Sequence, residues 1–125
     1  MKISSLTACL ILVGSCFAVN AAMQDNVMVY ASARSDGSMS AGAKSFYTKT
    51  FDVSITNMSN KTIDLSKYCL TAYSPDHQAF KLDTVDDMLT NGKLNEGKSV
   101  KGQAVFSSES EKVYHAAMIK IKACQ

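Results

Sequence analysis

Few side chains in this 125-residue sequence have types and spacings that could do chemistry: four cysteines, two histidines and one tight group of aspartates. Cys9 and Cys16 lie in an apolar N-terminal run, while Cys69 and Cys124 lie in the body of the chain. A chain that loses that run on export keeps only the second pair, and two cysteines in an oxidising compartment form one bridge. The expected bridge is therefore Cys69–Cys124. It closes a long loop, worth about 4 kcal/mol in the chain-entropy model. Cys69 sits in the most apolar stretch, so its sulfur is expected to be buried and structural rather than redox-active.

His77 falls in the turn sequence Ser74-Pro75-Asp76-His77, and His115 precedes the last strand. Neither neighbours a nucleophile motif such as G-x-S-x-G. Catalytic groups can be assembled by the fold from distant positions, so a site built from His77, His115 and the aspartates is the alternative to a chain with no catalytic residue. Asp83, Asp86 and Asp87 lack the alternating oxygen ligands and central glycine of a calcium loop. Aspartates also suit a helix N-terminus, where they cap and meet the dipole. Met23, Met28, Met39, Met58, Met88 and Met118 would suit Cu(I), but no Met-x-Met or His-x-Met spacing occurs. In structured segments such methionines fill core or surface gaps. No metal and no cofactor is expected. Asn57-Met58-Ser59 and Asn60-Lys61-Thr62 match the glycosylation sequon, but both read as turn residues selected for backbone geometry.

The N-terminus carries Lys2, an apolar run from Leu6 to Val19, and small residues at Asn20-Ala21-Ala22. This is the layout of a secretory signal peptide, with cleavage expected after Ala21 or Ala22. The division is then a leader over 1–22 and one domain over 23–125. The run is too short to span a membrane stably. Val13-Gly14-Ser15-Cys16 offers a competing reading, a lipoprotein box with a lipid anchor on Cys16. The mature chain holds twelve basic and eleven acidic residues without a basic cluster, which argues against a nucleic-acid partner.

The body of the chain reads as strands. Val27 to Ala33 alternates, Arg34 to Ala43 reads as a flexible polar loop, and Phe46 to Thr56 alternates again with Phe51, Val53 and Ile55 on one face. Lys61 to Leu65, Tyr68 to Tyr73, Ala79 to Leu82, Ser99 to Phe106 and Val113 to Lys122 follow. Tyr68 to Tyr73 is apolar on both parities, as a central strand is. Asp83 to Asn91 is expected to hold one helical turn with Val85, Met88 and Leu89 inward and Asp83 or Thr84 as its cap. Six to eight short strands separated by turns predict an all-β sandwich.

Three segments carry a resemblance: F-x-V-x-I-x-N-x-S from Phe51 to Ser59, Ile63-x-Leu65, and E-G-K-x-V-x-G-x-x-V-F from Glu96 to Phe106. Their order resembles that of small secreted bacterial immunoglobulin-like domains of unknown function. The resemblance implies an immunoglobulin-like antiparallel β-sandwich of about seven strands, with the asparagine–serine turn joining two early strands. It also implies that Gly102 lies against the opposite sheet. It implies no activity for any residue. The expected function is a non-catalytic binding or accessory module of the periplasm or cell envelope, contacting a protein or an envelope component. A structural subunit acting by β-strand addition is a further alternative.

Overall fold

The computed structural model describes residues 19–24 and 26–124. Strands β1 (Val19–Gln24), β2 (Val27–Ala41), β3 (Lys44–Asn57) and β4 (Ile63–Asp64) come first. A 3-10 turn at Leu65–Lys67 leads into β5 (Tyr68–Tyr73) and β6 (Ala79–Val85). Then come a single helical turn α1 (Asp87–Thr90), β7 (Lys93–Leu94), β8 (Ser99–Ser108), a 3-10 turn at Glu111–His115, and β9 (Met118–Ala123). Seven strands form one antiparallel sheet in the order β1-β2-β3-β8-β6-β5-β9, and β4 pairs with β7 beside it. β6 turns the corner of this sheet. Its residues Lys81 to Val85 pair with β8, whereas Ala79 and Phe80 pair with Tyr73 and Ala72 of β5. The two ends of the sheet, β1 and β9, come together around a 140 Å³ hollow between Ala22, Met23, Lys120 and Ile121, so the sheet nearly closes into a barrel. The all-β class stands as expected, but the hydrogen bonding runs through one continuous sheet rather than two.

Period-2 alternation explains the interior. Val27, Val29 and Ala31 of β2, Phe51, Val53 and Ile55 of β3, and Ile119 and Ile121 of β9 all face inward and are buried. The rings of Phe51 and Phe106 meet edge to face with centroids 5.9 Å apart. Leu65, Leu89 and Val113, from connecting segments, and Leu94 of β7 are buried too. Each such side chain contributes about 1.5–3 kcal/mol by leaving water.

One buried polar residue organises the end of the barrel. Asn57 is fully buried. Its Nδ2 donates to the carbonyls of Lys61 (2.7 Å) and Leu94 (2.9 Å), and its Oδ1 accepts from the Ser59 N–H and hydroxyl. Its main chain bonds Lys98 and Gly97. The first sequon is therefore a structural hinge pin whose amide is fully used inside the protein. A glycan has no access to it.

Three expectations are corrected here. Arg34 to Ala41 is strand rather than loop, with only Gly42 and Ala43 as a turn: with Lys44 to Thr50 it extends the β2–β3 ladder as an arm. Its strand pattern is hidden because both faces meet solvent, so no apolar alternation is needed. The arm is tied down at one side. Tyr114 packs edge-on against Tyr47 and donates its hydroxyl to the Gly37 carbonyl at 2.8 Å, while Lys49 Nζ donates to the carbonyls of Tyr114 (2.7 Å) and Ala116 (2.9 Å). Second, Val113 to His115 belongs to a 3-10 turn and the last strand starts at Met118. Third, α1 is one turn long, so only Leu89 is buried in it and Met88 points outward. Asp86, not Asp83 or Thr84, stands at its N-cap position, and its carboxylate instead accepts from the Gln103 N–H at 2.8 Å. This turn, rather than a facing sheet, covers Gly102: a Cβ there would lie 3.0 Å from Asp86 Cβ and 3.1 Å from Leu89 Cγ.

Candidate binding site

The residues singled out for chemistry disperse. His115 lines a hollow of about 490 Å³ with Ser74, Pro75, Asp76, Gln78 and Lys112. The hollow forms because the β5–β6 turn and the 3-10 turn before β9 stand side by side. The turn itself is as expected: the His77 N–H donates to the Ser74 carbonyl at 2.9 Å, with Pro75 and Asp76 at its corners. His77 takes a left-handed backbone, φ 71°, and is not among the residues lining the hollow.

The hydroxyl in this hollow is already committed. Ser74 donates to the Asp76 carboxylate and accepts from the Gln78 N–H. That hydroxyl, more than any other group, holds the Asp76 carboxyl below its ordinary range, with the Gln78 N–H and the Lys112 charge adding to it. A carboxylate so stabilised is a poor proton acceptor near neutral pH. Asp83 lies within β6, and the two aspartates after it serve structure. Asp86 holds β8, and Asp87 stands in the first turn of α1. Among the described residues no three of His, Cys, Asp and Glu gather around a common point. Met23, Met39, Met58 and Met88 are scattered and exposed.

Cys69 and Cys124 are bridged, with Cα atoms 5.5 Å apart. Cys69 is exposed, which overturns its expected burial. In β5 only Leu70 and Ala72 turn inward. Cys69 stands opposite Lys122 of β9 on the outer face. A strand that is apolar on both parities thus owes its outward cysteine to a surface clasp between neighbours, not to a second buried face. The leader expected at 1–22 and the alternative anchor at Cys16 fall mostly outside the described residues; residues 19–22 lie within β1. No helix among the described residues is long and apolar enough to cross a membrane.

The feature that no motif announced lies beside the bridge. β5 and β6 pair at only two positions, Tyr73 with Ala79 and Ala72 with Phe80. Beyond these the strands part: Tyr68 to Thr71 keep their ladder with β9, and Lys81 to Val85 keep theirs with β8. A register shift between Leu82 and Thr84 bends β6 at the same place. The parted strands enclose a cleft of about 550 Å³. Leu70 and Phe80, 4% and 3% exposed, form its floor with Leu82 and Val85, and the Cys69–Cys124 bridge stands at its rim. Such a cleft presents apolar pockets between two strand edges, the surface that an extended main chain can join.

Among the described residues, fold and site thus define an all-β domain, a bent seven-stranded sheet clasped by the Cys69–Cys124 bridge and parted along the β5–β6 seam. A family model described as "Domain of unknown function (DUF4354)" matches residues 1–123, and the chain belongs to that family. This agrees with the resemblance to an uncharacterised family. Among solved structures, the chain is similar to a crystal structure of an ApaG protein from Pseudomonas aeruginosa PAO1. The two are 42% identical, with a TM-score of 0.74, over 80% of this chain and 97% of that one. Among curated proteins none matches.

Proposed function

We propose that the protein is an exported, non-catalytic binding module of the periplasm or cell envelope, an immunoglobulin-like barrel that holds an extended segment of a partner protein in the β5–β6 cleft. The observation that carries this reading is the two-pair ladder between β5 and β6, which opens onto an apolar floor. Strand edges supply main-chain hydrogen bonds, and Leu70, Phe80 and Leu82 supply pockets for alternate side chains of the incoming segment. The catalytic alternative draws less support, since the hydroxyl beside His115 donates to Asp76 rather than to an imidazole. Export rests on the N-terminal layout and on the Cys69–Cys124 disulfide, a bond favoured in oxidising compartments.

Selection of peptides from a random display library tests this. The expected result is a set of peptides with alternating apolar residues that bind the wild type and fail to bind Leu82→Lys. A selection without enrichment, or peptides that bind Leu82→Lys equally well, would contradict it.

A further inference from the structure

The outer edge of β2 has an unusual guardian. On one side, Val27 to Ala33 pair with β3; on the other, Val27 to Ser32 pair with β1, from Gln24 opposite Val27 to Val19 opposite Ser32. The cleavage expected after Ala21 falls within β1. It removes the residues opposite Ser32, Ala31 and Tyr30, and leaves Ala22, Met23 and Gln24 opposite Val29, Met28 and Val27. Three residues at a free terminus keep half of the ladder and their contact with Lys120 and Ile121, and hold the edge more weakly than six. The same segment is therefore the end of a leader before processing and an edge strand in the folded precursor.

We propose that the last residues of the leader cap the β2 edge, and that their removal opens this edge to antiparallel pairing with β2 of a second copy. The proposal rests on the export reading. The edge between Val27 and Ala33 contains no charged residue and no proline, the devices by which natural edge strands resist pairing. Its outward positions are Met28, Tyr30 and Ser32, with Tyr30 exposed, and its inward positions Val27, Val29 and Ala31 are buried. A two-fold axis at Tyr30 would place Val29 opposite Ala31 and Met28 opposite Ser32 of the second copy. Inward residues then meet inward ones, so both cores continue across the junction without a register conflict. At the other end of the sheet, β9 carries Lys120 and Lys122 on its exposed side. That edge carries charge as well as meeting β1, whereas the β2 edge carries none and has its main-chain groups covered by β1.

The test uses naturally processed protein recovered from the extracytoplasmic fraction, with its N-terminus read by mass spectrometry. Sedimentation velocity should show a two-chain species at tens of micromolar. Tyr30→Lys, which sets two lysines across the axis, should return it to one chain with the thermal midpoint unchanged, and Tyr30→Phe should retain the dimer. A synthetic peptide of residues 19–24 should compete with the dimer. A single-chain species with an N-terminus at Ala22 or Met23 would overturn the edge pairing alone, as would a dimer indifferent to Tyr30→Lys. An N-terminus at Cys16 or Met1 would overturn the proposal through the cleavage site beneath it, because β1 would then be intact.

Discussion

β2 and β3 are zipped over fourteen residue pairs, while β5 and β6, in the same sheet, are joined by two. The contrast does not follow from burial. The outer half of the zipped hairpin stands in solvent, and the open seam lies over buried Leu70 and Phe80. What separates them is what else holds each strand. The β2 half of the arm pairs with β3 and takes the Tyr114 hydroxyl at Gly37, while its β3 half is held further by β8 from Tyr47 to Thr50, by the Lys44–Glu109 ion pair and by the Lys49 lashings. β5 is held by β9 along its whole length and by the Cys69–Cys124 bridge, and β6 is held by β8. A seam can stay open where both of its lips are fastened elsewhere.

Truncating side chains on the two sides should expose that difference most strongly. Phe51→Ala, at the zipped base against Phe106, should cost about 4 kcal/mol in denaturant unfolding. Leu82→Ala, beside a cleft that already exists, should cost about 1 kcal/mol, because little new cavity forms. Equal losses would mean that the seam is closed and packed in solution.

The bridge comes next. Replacing Cys69 and Cys124 with serine should cost about 3 kcal/mol, and native-state hydrogen exchange should accelerate in β5 and β9 well before β2 and β3. Uniform acceleration would show that the clasp stabilises the barrel as a whole instead of the lips of the seam.

The smallest effect concerns the turn that closes the seam. Because the folded Asp76 carboxyl titrates below its unfolded value, its contribution to stability is present above the unfolded pKa and lost as pH falls through the folded one. Ser74→Ala removes the leading cause, so the Asp76 carboxyl resonance should titrate at higher pH than in the wild type. An unchanged titration would assign the shift to Lys112 or to the turn's N–H groups instead.

The sequence disclosed what burial writes into it. Phe51, Val53 and Ile55 alternate because one face is wet, and the Pro75-Asp76 turn was legible from the backbone preferences of those two residues. The disulfide followed from the expected export and the cysteine count. The arm was illegible because Ser35, Ser38 and Ser40 face solvent on both sides, so no period marks them as strand. Cys69 misled because an apolar run gives no sign of which parity is buried. The cleft left no trace at all, since Leu82 reads the same whether its neighbouring strand is zipped or parted. Gly102 was noticed, but what lies over it depends on where α1 falls in space.

A seam proposed to receive an extended chain should change when such a chain is added. Amide exchange measured by NMR, with and without a peptide selected on the wild type, tests that directly. Saturating peptide should slow exchange at amides within Tyr68–Thr71 and Lys81–Val85 while leaving the β2–β3 arm and the Ser74–Gln78 turn unchanged. Protection that appears at the His115 hollow or along the arm, with the two lips of the cleft unaltered, would contradict it.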